Sequence, residues 1–404
     1  MKIQLPEAVQ SIICALTKQG YEAYAVGGCV RDSIIHREPK DWDITTSATP
    51  NQVKEIFHRT IDTGIAHGTV TVMMGQTGYE VTTYRIDGEY EDLRHPKSVE
   101  FTASLTEDLK RRDFTINAMA YNDETGLVDE FGGVNDLENG IIRCVGKAED
   151  RFGEDALRML RAVRFCAQLG FTLEEETACA IKKLAHTISG ISKERIHTEF
   201  NKILLSPNPG YIMKAYELGI TGVVLPVFDK MPDKEGASKL LYKVPKELIF
   251  RYAALLYEAG SKEAANVLRE LKSDNKTITG TARIVELHGM KPLSDEILIR
   301  QAACRYGIET LINALEFEKC YYSVSDDREK EAAIQNEKRI LDEIIDRGDC
   351  IDMKGLAVTG KDLIGLGIEP GQKMGEILKE CLDIVLKDPS MNDRDRLLQK
   401  INIK

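Results

Sequence analysis

The chain opens with two hydrophobic periods in alternation. In PEAVQSIICALTKQG apolar residues recur at helical spacing, and the run stops on Gly20. YEAYAVGG reads as a short strand running into two glycines, and CVRDSIIHR as a short helix. DWDITTSA, with its β-branched residues, predicts a strand. TPNQVKEIF predicts a helix with Thr49 as N-cap and Pro50 in its first position. HGTVTVMM and YEVTTYR alternate as strands do, and GQTG between them signals a hairpin. LVDEFGG and GIIRCVG close a mixed α/β unit near residue 146.

After Ala148 strand signals nearly vanish, and helical patterns run almost to the end. Breaks fall at SPNPG (206–210), LPVFDKMPDKEG (225–236), KSDNKTITG (272–280) and MKPLSD (290–295). TGKDLIGLGIEPGQ (359–372) reads as a glycine-rich turn between helices. No repeat is visible. The pattern predicts a small α+β head on a long all-helical remainder.

Composition narrows the classes. No apolar run reaches the roughly 18 residues that a membrane helix needs, and the N-terminus has no signal-peptide pattern. Nine scattered cysteines without a C-x-x-C pair read as reduced thiols of the cytosol. The seven histidines show no metal spacing, and no G-x-x-x-x-G-K-[ST] phosphate loop is present. A net charge of −11 argues against a broad nucleic-acid coat and leaves room for a local basic groove.

The candidate chemistry begins in DWDITT. If this is a strand, Asp41 and Asp43 face the same side. Two carboxylates about 4 Å apart repel by about 1 kcal/mol in water and about 4 kcal/mol at an effective dielectric of 20. A cation removes that cost, and oxygen-only donors favour Mg2+. A surface acidic strand is the plainer reading. The preceding GGCVRD adds a strand–glycine–helix turn, where Gly28 lets backbone approach phosphates and Arg31 adds a charged donor. Glu80, on a later strand, is a possible third carboxylate. Arg112 stands in the cluster Lys110, Arg111, Arg112, Asp113 ahead of an apolar run, a pattern that also suits a charged helix end.

VGGCVRD, DWDITT, RRDFTINAMAYN, FGGVNDLENGIIRCVG and EDALRMLRAVRF occur in that order, followed by GITGVVLPVF. In these motifs the chain resembles the bacterial class II tRNA nucleotidyltransferases, the CCA-adding enzymes, and their relatives the poly(A) polymerases. The resemblance covers about the first 230 residues most strongly. It implies a polymerase-β-like nucleotidyltransferase head over 1–146, a helical neck over 147–205, a body over 206–290 and a tRNA-binding tail over 291–404. It implies Mg2+-dependent, two-metal transfer from CTP and ATP to a tRNA 3′ end, with Asp41 and Asp43 as metal ligands and catalytic residues beside Glu80. Gly28, Arg31 and Arg112 fall on nucleotide-binding positions. Within the family, an A-adding enzyme or a poly(A) polymerase remains open, and outside it a catalytically idle RNA-binding module. YRIDGEYEDLRHPKSVEF (84–101) resembles the loop that CCA- and A-adding members carry.

EDALRMLRAVRF reads as one helix, on which Asp155 and Arg158 lie about 60° apart and Arg161 and Arg164 continue the stripe. An intrahelical salt-bridge stripe is one reading. The resemblance gives another. An aspartate only accepts and an arginine only donates, so the pair matches the donor–acceptor edge shared by cytosine and adenine. Arg161 and Arg164 then belong to the same nucleotide pocket. Lys361, Lys373, Arg394 and Arg396 are candidate RNA contacts in the tail, chosen from charge near glycine-rich turns and helix ends.

Overall fold

The helical spacing of Val9, Ile12, Ile13 and Leu16 becomes the buried stripe of α1 (Glu7–Lys18). The computed structural model describes residues 2–88 and 99–401. Its contacts divide the chain into two compact units, 1–230 and 231–404.

The first unit is built on a seven-stranded sheet in the order β3-β4-β5-β2-β1-β8-β9. The strands are β1 (Ala23–Val26), β2 (Ile44–Thr46), β3 (Thr60–Gly64), β4 (Thr69–Met74), β5 (Thr77–Thr83), β8 (Ala120–Asn122) and β9 (Gly126–Val128). β1 and β2 are buried along their whole length, as central strands must be. β2 runs parallel to β5, and the other pairings are antiparallel. β4 and β5 form the hairpin expected from their alternation. β3 carries no such signal because it is an edge strand exposed along its middle. A separate ribbon pairs β6 (Arg85–Asp87) with β7 (Val99–Phe101). The segment 84–101 therefore starts and ends in this ribbon, while residues 89–98 lie outside the described residues.

Helix α2 (Gly28–Ile34) follows β1 directly. α3 (Pro50–Ile56) opens with the expected Thr49 cap, closed into a capping box by Gln52. α4 (Leu105–Lys110) and α5 (Gly133–Glu138) flank the 3-10 turn Thr115–Asn117. The helical continuation is α6 (Ala148–Glu154), α7 (Leu157–Leu169), α8 (Glu175–Leu184) and α9 (Lys193–Leu204), with α7 packed on α9 and α6 on α8.

Among its described residues the second unit consists of helices joined by turns and loops, without a strand. One apolar cluster gathers Ile299, Leu315, Leu341 and Ile344, and another gathers Leu363, Cys381, Val385 and Leu397. Three expected breaks are shorter than the composition suggests. Asp274 caps a helix that already starts at Asn275, and Pro226–Asp229 makes a helical turn. Inside the glycine-rich stretch, Thr359 and Asp362 form a capping box that starts the helix Gly360–Gly365. In each case a local capping or proline signal overrides the polar composition around it.

Gly133 sits where α5 meets the turn after Asp113. A Cβ there would lie 2.4 Å from the carbonyl oxygen of Thr115 and 2.9 Å from Met119. The obstacle is backbone, which cannot swing aside. Gly133→Ala is expected to destabilise the fold by about 1–3 kcal/mol, measured as a lower urea midpoint; an unchanged midpoint would show that this approach relaxes freely.

Candidate functional site

The paired aspartates do not lie within a strand, as their sequence suggests. β2 begins at Ile44, and Asp41 and Asp43 stand on the extended approach to it. The backbone still joins the sheet there, since Val26 N donates to the Asp43 carbonyl at 3.0 Å. Ile44 pairs with Val81 in the parallel β2–β5 register, so Asp43 and Glu80 occupy the next step on one face. Asp41, Asp43 and Glu80 share an open cavity of about 410 Å³ with Lys40, Trp42 and Tyr79.

Asp43 reaches solvent through this cavity but is ringed by protein atoms. Burial, Glu80 and Asp41 push its pKa up, against a pull down from Arg112. Such crowding of carboxylates is what a divalent cation relieves. The donor set fits a hard cation, being oxygen only. The three carboxylates do not close into one cluster, however: among the described residues no group of three or more potential ligands is poised around a metal. Asp41 and Asp43 supply donors on one segment, and Glu80 stands beside Asp43 on the neighbouring strand.

Gly27 ends β1 with φ 80°, a left-handed conformation, and its amide is engaged by the Met119 carbonyl. A Cβ on Gly27 would lie 2.9 Å from Nη1 of Arg112. The glycine turn is therefore the seat of a guanidinium. Burial lowers the Arg112 pKa, while Asp108, Asp43 and Asp113 raise it; an arginine remains cationic under these conditions. Asp108, fully buried, accepts from Arg111 at 2.7 and 2.9 Å and from Thr45 at 3.0 Å, with Arg112 at 3.5 Å. Burial raises its pKa, and the charges of Arg112 and Arg111 with the hydrogen bonds from Arg111 and Thr45 outweigh that, so it stays ionised. Asp108 was not singled out by sequence, although its i+3 and i+4 spacing to Arg111 and Arg112 was a readable signal.

Arg31 lies one turn into α2 beside Gly28, with Nη2 3.7 Å from where a Gly28 Cβ would be. It donates from Nε to Asp32 at 2.9 Å and from Nη1 to Asn117 at 2.7 Å.

The segment EDALRMLRAVRF is not one helix. α6 ends at Glu154, Asp155 has φ −144° and ψ 103°, and α7 starts at Leu157. The cause is local: the Asp155 carboxylate accepts from the Leu157 amide at 3.0 Å, an aspartate turn that competes with helix continuation. Asp155 and Arg158 therefore do not sit 60° apart on a common helix. Asp155 pairs with Arg195 at 2.7 Å, and Arg158 with Glu154 at 2.6 Å and the Arg111 carbonyl at 3.1 Å.

Arg161 and Arg164 leave the same helix in other directions. Arg161 grips the buried Asp113 at 2.7 Å through Nε, and Arg164 pairs with the buried Glu199 at 2.6 Å. Glu199 stands on α9, 35 residues beyond Arg164, where no spacing rule connects them. Phe165 lies among the arginines: its ring centroid is 5.1 Å from the Arg31 guanidinium, 5.6 Å from Arg161 and 4.0 Å from Arg164. Arginines of α2 and α7 thus gather around one aromatic ring.

In the second unit, Lys361 and Lys373 are exposed. Arg394 is tied to Asp362 at 2.7 Å and Arg396 to the Ser390 carbonyl at 3.0 Å. All nine cysteines are free thiols, and no described helix is long and apolar enough to cross a membrane.

Three family models match the chain. A poly(A) polymerase head domain matches residues 23–143, a probable RNA- and SrmB-binding site of polymerase A matches 170–231, and a putative tRNA nucleotidyltransferase domain 2 matches 246–401. The CCA-adding enzyme of Ligilactobacillus salivarius (strain UCC118) is 38% identical over 392 residues, spanning 96% of this chain and 94% of that one. That of Lactiplantibacillus plantarum (strain ATCC BAA-793 / NCIMB 8826 / WCFS1) is 38% identical over 411 residues, spanning 98% and 96%. The crystal structure of the Bacillus stearothermophilus CCA-adding enzyme in complex with CTP is 35% identical, with a TM-score of 0.75 over 94% of this chain and 92% of that one.

Asp113 offers a direct check on the site's electrostatics. Burial alone would raise its pKa; Arg161, the Asn117 hydrogen bond and Arg158 outweigh it and hold the carboxyl at about 2, below its ordinary 3.8. Its contribution to stability is therefore complete above about pH 4 and is lost as pH falls through about 2. Carboxyl 13C NMR should find Asp113 still ionised near pH 3; titration at the ordinary aspartate value would remove this pairing from the account.

Proposed function

The chain belongs to the CCA-adding enzymes, tRNA nucleotidyltransferases with a poly(A) polymerase head, and from this we infer that it is a template-independent RNA polymerase that adds CCA to tRNA 3′ ends using CTP and ATP. The 3′-hydroxyl of the tRNA attacks the α-phosphate of the incoming nucleotide, and pyrophosphate leaves. One observation carries the reading to this site: the Arg112 guanidinium sits against the Gly27 turn, directly after Val26, whose amide bonds the Asp43 carbonyl. Phosphate-binding turn, cation and carboxylates converge.

The family is one of generally metal-dependent nucleotidyltransferases. Mg2+ is the ion this reading names, because every donor is a carboxylate oxygen. Asp41 and Asp43 would hold it, with Glu80 beside Asp43 on the neighbouring strand. Bound there, the metal supplies Lewis-acid activation of the attacking oxygen and charge neutralisation at the leaving one. Gly28 offers backbone for close approach of the triphosphate, and Arg31 and Arg112 present fixed cations to it, so that charge developing on the phosphates meets preorganised donors.

Asp155, Arg158, Arg161 and Arg164 form the base-side wall in this reading. Base recognition by Asp155 and Arg158 exchanges their present partners, Arg195 and Glu154, for the Watson–Crick edge of C or A. Arg161 and Arg164 hold the wall in place. The division into head (1–146), neck (147–205), body (206–290) and tRNA-binding tail (291–404) belongs to the same proposal, as do Lys361, Lys373, Arg394 and Arg396 as tail contacts to RNA. A cytoplasmic location is proposed with it, supported by the nine free thiols.

Incubating the protein with a tRNA that ends at its discriminator base, and with each nucleotide separately, tests the function. CTP alone should extend the RNA by the two cytidines, and ATP should then complete it; extension of this RNA by ATP alone would point instead to a poly(A) polymerase, extension by ATP only of a tRNA already ending in CC to an A-adding enzyme, and no extension of either RNA to an idle RNA-binding module. Asp41→Ala or Asp43→Ala should abolish addition while the protein stays folded and still binds tRNA. Turnover retained in either variant at saturating Mg2+ would remove these carboxylates from the metal site.

Reversing the other pair, Asp155→Arg with Arg158→Asp, should weaken use of CTP and ATP and raise that of GTP or UTP. A bidentate base contact is worth about 1–3 kcal/mol of discrimination, and kcat/KM for the four nucleotides reads it out. A folded variant with an unchanged preference would return the two residues to a purely structural role.

A further inference from the structure

Asn117 closes the 3-10 turn after Asp113, and its side chain is enclosed, 7% exposed. Both ends of its amide meet charged groups. Oδ1 accepts from Arg31 Nη1 at 2.7 Å, and Nδ2 donates to Asp113 Oδ1 at 3.1 Å. Chemistry fixes this orientation, because a guanidinium cannot accept and an ionised carboxylate cannot donate. Asp113 passes the link on through Oδ2 to Arg161 of α7 at 2.7 Å.

Arg31 is gripped along its other edge by Asp32, at 2.9 Å from Nε and 2.8 Å from Nη2. Its guanidinium also lies over Phe165. A guanidinium has five N–H groups. The contacts to Asn117 and Asp32 engage three of them. The plane of the guanidinium is set from two edges and one face before any nucleotide arrives.

We propose that Asn117 is a positioning residue for the incoming nucleotide: it aims Arg31 at the phosphates and ties that aim, through Asp113, to Arg161 of the neck helix. The proposal rests on the reading of Arg31 as a nucleotide contact. A donor already fixed in its binding geometry loses little conformational freedom when the ligand binds. Phosphates are common to CTP and ATP, so the benefit is the same for both and independent of the base. This distinguishes Asn117 from Asp155 and Arg158, whose contribution depends on which base is present.

The test is a double-mutant cycle on the full-length protein with tRNA as acceptor. Asn117→Ala should raise KM for CTP and for ATP by the same factor, about tenfold for loss of a hydrogen bond to a charged group, while the dissociation constant for tRNA is unchanged. Arg31→Ala should cost at least as much, and adding Asn117→Ala to it should cost little more, because Asn117 acts through Arg31. If Asn117→Ala does not fold, Asn117→Ser goes through the same cycle with the same expectation. An Arg31→Ala enzyme with normal KM would overturn the reading of Arg31 and the proposal with it. A costly Arg31→Ala, combined with an Asn117 effect that adds in full or touches one nucleotide only, would leave Arg31 in place and overturn the role of Asn117.

Discussion

The ion pair between Asp113 and Arg161 is the constraint on which the site is built. The Asp113 carboxylate is buried, and a buried charge is tolerated only when paired and hydrogen-bonded. Arg161 supplies the charge, and the Phe114 amide at 2.9 Å and the Asn117 side chain supply further donors. The backbone around it is bound as well: Val145 N donates to the Asp113 carbonyl and Thr115 N to the Arg143 carbonyl. Removing Arg161 would leave the Asp113 carboxylate charged in a dry place, whereas Arg161, its side chain 35% exposed, keeps access to water. Asp113 belongs to the head and Arg161 to the helix that follows it, so the pair fixes one against the other.

Around that pair the protein gathers more positive charge than a surface would need. Arg31, Arg161 and Arg164 surround a single phenylalanine ring, and like charges so close repel. Each is answered by a carboxylate: Asp32, Asp113 and Glu199. The compensation is distributed over three elements, so no one acid neutralises the whole. The net result is a fixed, charge-balanced set of three arginines and three carboxylates within a chain whose overall charge is −11. Local arrangement, not composition, decides what this protein can bind.

Much of this was legible in the sequence, and the reasons for the exceptions are physical. Strands with strict alternation, such as β4 and β5, and helices with a buried stripe, such as α1, or a capping box, such as α3, declare themselves locally. β3 is exposed at an edge and has no pattern to show. The aspartates before β2 read as strand because their neighbours are β-branched, yet the ladder starts one residue later. Asp155 was misplaced because helical periodicity continues across it, while the break comes from a side-chain hydrogen bond that periodicity does not encode. The arginines were visible as a ladder, but their partners were not: Glu199 and Asp113 lie far from them in the chain and are joined only by packing. Asn117, inside an apolar run, carried no signal beyond being a polar residue where polar residues are expensive.

The three arginines of α7 also make its length a matter of register. Steps of three residues turn by about −60° on an α-helix, so Arg158, Arg161 and Arg164 fan across about 120° of its circumference and address three places in turn: the end of α6, the buried Asp113 and α9. The fan works only with a fixed starting angle, and that angle is set by the aspartate turn at residue 155. One residue inserted or deleted between that turn and Arg161 would rotate every later side chain by about 100°, moving Arg161 off its acid and carrying Phe165 out of the core. Substitutions on this helix disturb contacts singly. A change in its length would dismantle all of them together, which makes the segment from Asp155 to Phe165 far more tolerant of altered chemistry than of altered count.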